Sequence, residues 1–182
     1  MSNSLLIQSR SLGHNVNATR HTAIVGLSNN PTAEADQEIP IRDAGTFSNL
    51  FTYAPTNTAS VSSTITLQKS TVDTALLVTY TADQTGIKED TGNTIAFAAT
   101  DEAVWEITVP SEGGTNTLTL NVIACQFAPD TAGNTVSFLG AISTTNYSTA
   151  SATRFLTVNG GVVPTATEAN VKYRARMAFT SS

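Results

Sequence analysis

The sequence predicts an all-β protein built as an antiparallel sandwich or barrel. Between Gly45 and Ala128, segments in which apolar and polar residues alternate follow one another at short intervals, separated by polar turns. β-Branched and aromatic residues occupy the apolar positions, as is typical of strands with one dry face and one wet face. Apolar residues make up 40% of the chain and charged residues 13%, which is too apolar for a disordered chain and too poor in Leu, Glu and Lys for a helical one.

Five segments of this central stretch are the clearest strand candidates: residues 46–53, 63–69, 76–80, 104–109 and 117–124. Residues 83–94 are rich in Gly, Asp, Asn and Thr, and this composition predicts a longer polar connection between strands. Residues 111–116 contain Gly113 and Gly114, which tolerate positive φ, and predict a hairpin turn. A further strand is expected at residues 135–140.

The N-terminal part of the chain is expected to be an extended arm over residues 1–20, which are polar and lack a sustained period. Two interpretations stay open: a loose tail, or an arm that orders on a neighbouring subunit and is anchored by Leu5, Leu6 and Ile7. The main sandwich is then predicted for residues 21–142, beginning with a short strand at 22–27. Pro40 cannot donate to a strand ladder and predicts an edge position or a bulge.

Residues 143–182 are expected to form a Ser/Thr-rich linker and C-terminal strands that pack on the sandwich or on a neighbouring subunit. Residues 171–179 alternate strictly, and as a strand they align three cations on one face: Lys172, Arg174 and Arg176. Together with Arg154, these are four of the nine Lys and Arg residues in an otherwise acidic chain. The basic row either protects an edge strand from aggregation or docks on an acidic partner, which includes an acidic face of a neighbouring copy.

A partial internal repeat relates residues 22–36 to residues 153–170. In both, a short apolar strand leads to Pro-Thr-Ala and then to Glu-Ala followed by Asp or Asn. The offset of one domain length predicts a whole module followed by the opening of a second one. A truncated module cannot bury its own apolar face, so it would pack on the first module or on another chain. The alternative is chance similarity between Thr/Ala-rich turns.

Composition also excludes several classes of function. The net charge of −5 argues against nucleic-acid binding, because no basic patch dominates the chain. The longest apolar run is far below the ~20 residues that cross a bilayer, and no signal peptide is recognisable, so we expect a soluble product made in the cytoplasm. The single cysteine, Cys125, lies in an apolar run and is expected to be a packed thiol.

No pattern for catalysis or for a cofactor was found, and we expect a protein without enzymatic activity, cofactor or metal. The chain has no HExxH, CxxC, GxGxxG or P-loop pattern, and its two histidines, His14 and His21, fall in the N-terminal segment. Two weaker alternatives remain. The pairs 89–90 and 101–102 are acidic and would bind Ca²⁺ if their loops converged, although solvated carboxylates are the commoner case. The central aromatic residues would form a sugar-stacking platform if exposed, although core positions are commoner: Phe47, Phe51, Tyr53, Phe97 and Trp105.

Four blocks of the sequence resemble tailed-bacteriophage virion structural proteins: AGTFSNL at 44–50, STITLQK at 63–69, TGIKEDT at 85–91 and IACQF at 123–127. They are most similar to the trimeric jelly-roll cement (decoration) proteins of phage capsids, especially those of cyanophages, over roughly residues 22–142. The resemblance implies an antiparallel β-sandwich of jelly-roll type with an extended N-terminal arm.

The same resemblance implies a function. It describes a homotrimer that binds the major capsid protein on the outer capsid surface of the virion and stabilises the shell. The alternative is a phage fibre, a tail appendage or a carbohydrate-binding module for host recognition. For the cement function, the expected partner-binding residues are Leu5, Leu6, Ile7, Arg154, Lys172, Arg174 and Arg176.

Overall fold

The structure is a computed structural model that describes residues 5–15, 18–28, 37–110, 117–131, 155–156 and 162–163. Every regular element within these ranges is a β-strand. Two sheets pack together around one apolar core, so the described chain is an all-β sandwich. No helix in these ranges has the length and apolar character needed to cross a membrane.

Six strands form the first sheet: Leu5–Asn15 (β1), Gly26–Ser28 (β3), Gly45–Ala54 (β5), Thr56–Asn57 (β6), Gly86–Phe97 (β9) and Thr117–Pro129 (β11). Their order is β3-β1-β11-β5-β9, and β6 also pairs with β11. All of these pairings are antiparallel except that of β1 with β3. The long strand β9 therefore lies at an edge.

Five strands form the second sheet: Ala18–Ala23 (β2), Ile39–Pro40 (β4), Ser63–Lys69 (β7), Val72–Tyr80 (β8) and Glu102–Val109 (β10). Their order is β2-β10-β7-β8, β4 also pairs with β10, and every pairing is antiparallel. Two short strands, Phe155–Leu156 (β12) and Val162–Val163 (β13), pair with each other.

The core follows from the alternation of the central strands. In β10 the side chains of Trp105, Ile107 and Val109 are buried between the sheets. From the first sheet, Phe47 packs against Phe97 with their ring centroids 4.7 Å apart. Burial of each such side chain contributes roughly 1.5–3 kcal/mol to the free energy of folding. Since neighbouring residues face opposite ways, the same pattern leaves the polar positions on the outer faces.

All five central strands predicted from the sequence are confirmed. Three agree with the prediction to within two residues at each end, whereas β8 begins four residues earlier, at Val72, and β11 ends five residues later, at Pro129. Cys125 is buried in β11, as predicted for a packed thiol, and this burial raises the pKa of its sulfur. Pro40 lies on the short strand β4, which has β10 as its one pairing partner among the described strands, as expected for a residue that lacks an N–H.

The prediction of a polar connection over residues 83–94 is wrong for most of its length, because β9 begins at Gly86. The strand escaped detection because its alternation is weak. It forms the edge of its sheet, and its exposed positions include Glu89, Thr91 and Asn93. Between Asp90 and Thr94 it also carries extra residues relative to β5, which breaks the two-residue period.

The first 20 residues are not separate from the sandwich where the structure describes them. β1 pairs with β11 in the first sheet, and β2 pairs with β10 in the second. The predicted boundary at residue 20 falls inside β2. The strand predicted over 22–27 is divided, because the buried residues Ile24 and Val25 separate β2 from β3.

Several predictions about the C-terminal region concern residues outside the described ranges. They are the strand at 135–140, the linker within 143–182 and the basic strand at 171–179. Of the second copy of the internal repeat, only β12 and β13 are described.

Gly45 allows a close approach of β5 to β11, and its replacement tests this packing. A Cβ atom at Gly45 would overlap the ring of Phe127 and lie 2.6 Å from the backbone oxygen of Ala128. We expect Gly45→Ala to lower the free energy of unfolding by about 1–3 kcal/mol, because the backbone atom cannot move aside easily. Urea unfolding measures the change.

Gly92→Ala is the matched control. The nearest atom to its new Cβ would be Asp90 Oδ1 at 3.9 Å, which is an ordinary contact. We expect this variant to unfold within about 1 kcal/mol of the wild type, or to gain slightly from reduced freedom of the unfolded chain. Equal stability of the two variants would contradict the close approach at Gly45.

Candidate functional site

The aromatic residues considered for a sugar-stacking platform lie mostly in the core. Trp105 and Phe47 are fully buried and Phe97 nearly so, which confirms the core interpretation for these three. Trp105 faces the interior from β10, and its Nε1 has no hydrogen-bond partner among the described residues. Tyr53 is exposed and Phe51 is half-buried, both on β5. A stacking surface based on Trp105 is therefore excluded.

Asp90, one of the acidic residues considered for Ca²⁺, binds backbone and side-chain donors within the protein. Its Oδ1 accepts the N–H groups of Gly92 (3.2 Å) and Asn93 (3.1 Å). Its Oδ2 accepts the Asn93 amide (2.9 Å) and the N–H of Leu77 on the neighbouring edge strand β8 (3.2 Å). Partial burial raises the pKa of Asp90, but these hydrogen bonds outweigh it and hold the pKa below its usual value. Asp90 thus joins β8 to β9.

Asp101, from the second acidic pair, is likewise engaged within the protein. Its Oδ2 lies 2.9 Å from Lys69 Nζ, which also donates to the backbone oxygen of Ala96 at 2.9 Å. The hydrogen bonds from Lys69 and from the N–H of Ala98 lower the pKa of Asp101. No group of three or more potential metal ligands occurs among the described residues.

The outer face of the first sheet carries an apolar row formed by Val122, Tyr53 and Ile87. These residues lie directly opposite one another on β11, β5 and β9. Tyr53 is 38% exposed and Ile87 is 59% exposed. Apolar side chains that are contiguous and exposed on a folded domain mark an interaction surface more often than isolated ones do. The apolar row is therefore the main candidate for contact with another protein on this sheet.

The outer face of the second sheet carries a polar notch formed by His21, Gln68, Asp73 and Glu106. These side chains come from β2, β7, β8 and β10. Gln68 Nε2 donates to Asp73 Oδ1 (2.9 Å) and to Glu106 Oε2 (2.8 Å), and His21 Nε2 lies 3.7 Å from the same Glu106 oxygen. A single amide thus bridges two carboxylates.

Burial distinguishes the polar notch from an ordinary wet sheet face. Gln68 is 5% exposed and His21 is buried, whereas Asp73 is exposed and Glu106 is partly so. Gln68 Oε1 and His21 Nδ1 have no hydrogen-bond partner among the described residues. Buried polar atoms in folded proteins are nearly always paired with protein groups or with ordered water, so these two atoms need a further partner.

Strand register brings the notch together, and the sequence does not show that register. Glu106 alternates with Trp105 and Ile107, so its outward direction follows from the sequence, but its cross-strand neighbours do not. The pairing of β10 with β2 places His21 opposite Glu106, and the pairing of β7 with β8 places Asp73 opposite Gln68.

The partner-binding residues predicted from the sequence stay predictions. Leu5, Leu6 and Ile7 lie on β1, where their backbones pair with Phe127, Gln126 and Cys125 of the same chain. The four predicted basic residues lie outside the described ranges: Arg154, Lys172, Arg174 and Arg176.

Comparison with known proteins assigns no family to the chain. No protein-family model matches it, and no curated protein matches its sequence.

The junction at Asp90 generates a prediction about pH. Asp90→Asn places an amide where the N–H groups of Leu77 and Asn93 need an acceptor. We therefore expect the free energy of unfolding at pH 7 to fall by about 1 kcal/mol, which is a modest value because the group is partly exposed. A carboxyl group with a lowered folded-state pKa stabilises the protein above its unfolded-state pKa, and this contribution is lost as the pH falls through the folded-state value. The difference in the free energy of unfolding between wild type and Asp90→Asn should therefore be largest at pH 7 and disappear in acid.

Urea unfolding at a series of pH values measures this difference. The matched control is Asp130→Asn, which makes the same chemical change at an exposed carboxylate directly after the end of β11. A difference between wild type and Asp90→Asn that did not change with pH would show that the Asp90 charge does not hold the junction.

Proposed function

We propose that this chain is a capsid cement (decoration) protein of a tailed bacteriophage, with a jelly-roll sandwich that assembles as a homotrimer. In this proposal the trimer binds the major capsid protein on the outer surface of the virion head, after synthesis in the host cytoplasm. The observation that carries the proposal is the resemblance of four sequence blocks to such proteins.

The positions of those blocks in the fold support the proposal. Residues 44–50 and 123–127 lie on or beside the paired strands β5 and β11, residues 63–69 form β7, and residues 85–91 overlap β9. All four blocks therefore overlap strands of the two sheets, and three of them, at 44–50, 63–69 and 123–127, include residues of the common core. A resemblance confined to turns would have carried less weight.

The apolar row offers the surface on which such a trimer would form. Its side chains reach across three adjacent strands, so a second subunit would bury them together rather than singly. A rigid trimer then binds a shell through three equal contacts. Because the second and third contacts form at high effective concentration, weak single contacts suffice for firm attachment.

The alternative, a fibre or a carbohydrate-binding module, gains no specific support. The carbohydrate-binding interpretation relied on the strand-connecting loops and on Trp105, and the Trp105 side chain is buried.

Capsid binding is the direct test of the proposed function. The purified protein is mixed with phage capsids that lack decoration, and bound protein is separated from free protein by sedimentation. We expect saturable, stoichiometric binding and a higher temperature of shell rupture. A trimeric protein that fails to bind any such shell would disprove the cement function without contradicting the proposed trimer.

The apolar row is tested by Ile87→Ser. This change removes an exposed side chain that the trimer would bury, at about 25 cal/mol per Å², and is expected to weaken association roughly tenfold or more. Light scattering across a range of concentrations measures it. The control is Val72→Ser on β8, where an equally apolar residue is 64% exposed outside the row. Equal effects of the two substitutions would exclude the row as the subunit contact.

A further inference from the structure

The polar notch has an unbalanced charge. Asp73 and Glu106 contribute two carboxylates, and the side chain that bridges them, Gln68, is neutral. His21 is the one member able to carry positive charge, and its Nε2 lies 3.7 Å from Glu106, beyond good hydrogen-bond distance. The notch is therefore short of positive charge.

The notch is also short of hydrogen-bond donors. Gln68 Nε2 already donates to both carboxylates, while Gln68 Oε1 is buried and accepts no hydrogen bond among the described residues. A buried acceptor without a donor destabilises the folded state, because it has lost its hydrogen bonds to water. Glu106 Oε1 accepts one further hydrogen bond, from the Thr108 hydroxyl at 3.0 Å. A group that brings both positive charge and several donors would satisfy the remaining acceptor capacity of the two carboxylates.

An arginine guanidinium fits this requirement best among protein side chains. It is planar, always charged, and presents five N–H donors in a rigid fork that matches carboxylates. A lysine ammonium would supply the charge and three donors, but as a compact group without the planar fork that matches a carboxylate. The exposed Asp73 and the partly exposed Glu106 leave the carboxylates within reach of such a group.

The chain itself contains a segment of the matching chemistry. Arg174 and Arg176 stand two residues apart, with Lys172 before them, in residues 171–179. As an extended strand this segment would present the three cations on one face. Residues 132–170 join it to the sandwich. Without the paired stretch 155–163, the other 30 residues can span up to about 100 Å at ~3.3 Å per residue, against a radius of gyration of about 16 Å for a domain of this length. The segment can therefore reach a neighbouring molecule.

We propose that the polar notch of one subunit binds the basic segment 171–179 of a second copy, with Arg174 or Arg176 against Asp73, Gln68 and Glu106. This contact between notch and segment, the clasp, depends on the homotrimer proposed above. It is the polar contact that would form in the trimer in addition to burial of the apolar row. It joins different surfaces of two copies, so three notches and three segments can close into one ring.

Complementation between two variants tests the clasp in the full-length protein. The notch variant, Asp73→Arg, replaces an exposed acidic group with a basic one and keeps the segment intact. The segment variant, Arg174→Glu with Arg176→Glu, keeps the notch intact. Each alone is expected to associate about tenfold to a hundredfold more weakly than the wild type, the effect of losing a charge-assisted hydrogen-bonded contact. Analytical ultracentrifugation measures both.

Mixing the two variants shows whether the clasp joins two different copies of the chain. The intact segment of one variant can bind the intact notch of the other only across a subunit boundary, so the mixture should associate more strongly than either variant alone. Asp73→Asn removes the charge without reversing it, and should give a smaller loss if the clasp exists. Asp130→Arg, the same charge reversal at an exposed site outside the notch, is the control and should associate as the wild type does.

Each outcome bears on the proposal. Weakened variants that recover on mixing support it. Unchanged association of both variants overturns it, as does a wild type that stays monomeric. Weakening without recovery on mixing places the segment on its own subunit and overturns the contact between copies. Urea unfolding of each variant separates these results from a failure to fold, and capsid binding by the wild type reports independently on the cement function.

Discussion

The packing of Phe47 in the space between the two sheets is the contact on which the described fold depends most. Its ring lies 4.7 Å from those of both Phe97 and Phe127, in tilted and edge-on geometries that aromatic pairs prefer. These rings come from three adjacent strands of the first sheet, and Trp105 from the second sheet lies in the same core. Once these side chains are buried, alternation fixes the inward face of every central strand, and a register slip of one residue would expose them.

Polar contacts close the side of the sandwich where β8 and β9 meet. The hydroxyl of Tyr80 on β8 hydrogen-bonds to Thr52 of the opposite sheet at 2.8 Å and donates to the backbone oxygen of Gly86 at 3.1 Å. Burial raises the pKa of Tyr80. Farther along the same side, Asp90 accepts the N–H of Leu77, so one open donor of an edge strand is occupied. Edge strands whose backbone groups are free pair readily with other chains, so this closure directs association toward the outer faces.

The sequence was sufficient to predict the strands whose two faces differ in solvent contact, and insufficient to predict the strands whose two faces are alike. Residues 63–69 and 104–109 alternate because one side is dry, and the structure contains them nearly as predicted. β9 was missed because an edge strand with polar residues on both faces resembles a loop. The candidate site was beyond prediction for another reason: His21 and Glu106 are brought together by cross-strand register, which depends on the whole core and leaves no local pattern. The packed state of Cys125 was predictable because its apolar neighbours lie within the same strand.

The two outer faces differ in chemistry, and this difference constrains how copies of the chain can associate. A twofold dimer joins one patch to the same patch on its partner, and the polar notch cannot be its own partner because two sets of carboxylates would face each other. The notch therefore needs a surface of opposite charge, and in a homo-oligomer that surface must lie elsewhere on the same chain. Such a contact is heterologous, so it forms either a closed ring or an open filament. In the proposed trimer a closed ring of clasps would leave no unpaired notch from which a filament would grow, and the apolar row, which lies on the opposite outer face of the sandwich, would need a separate contact.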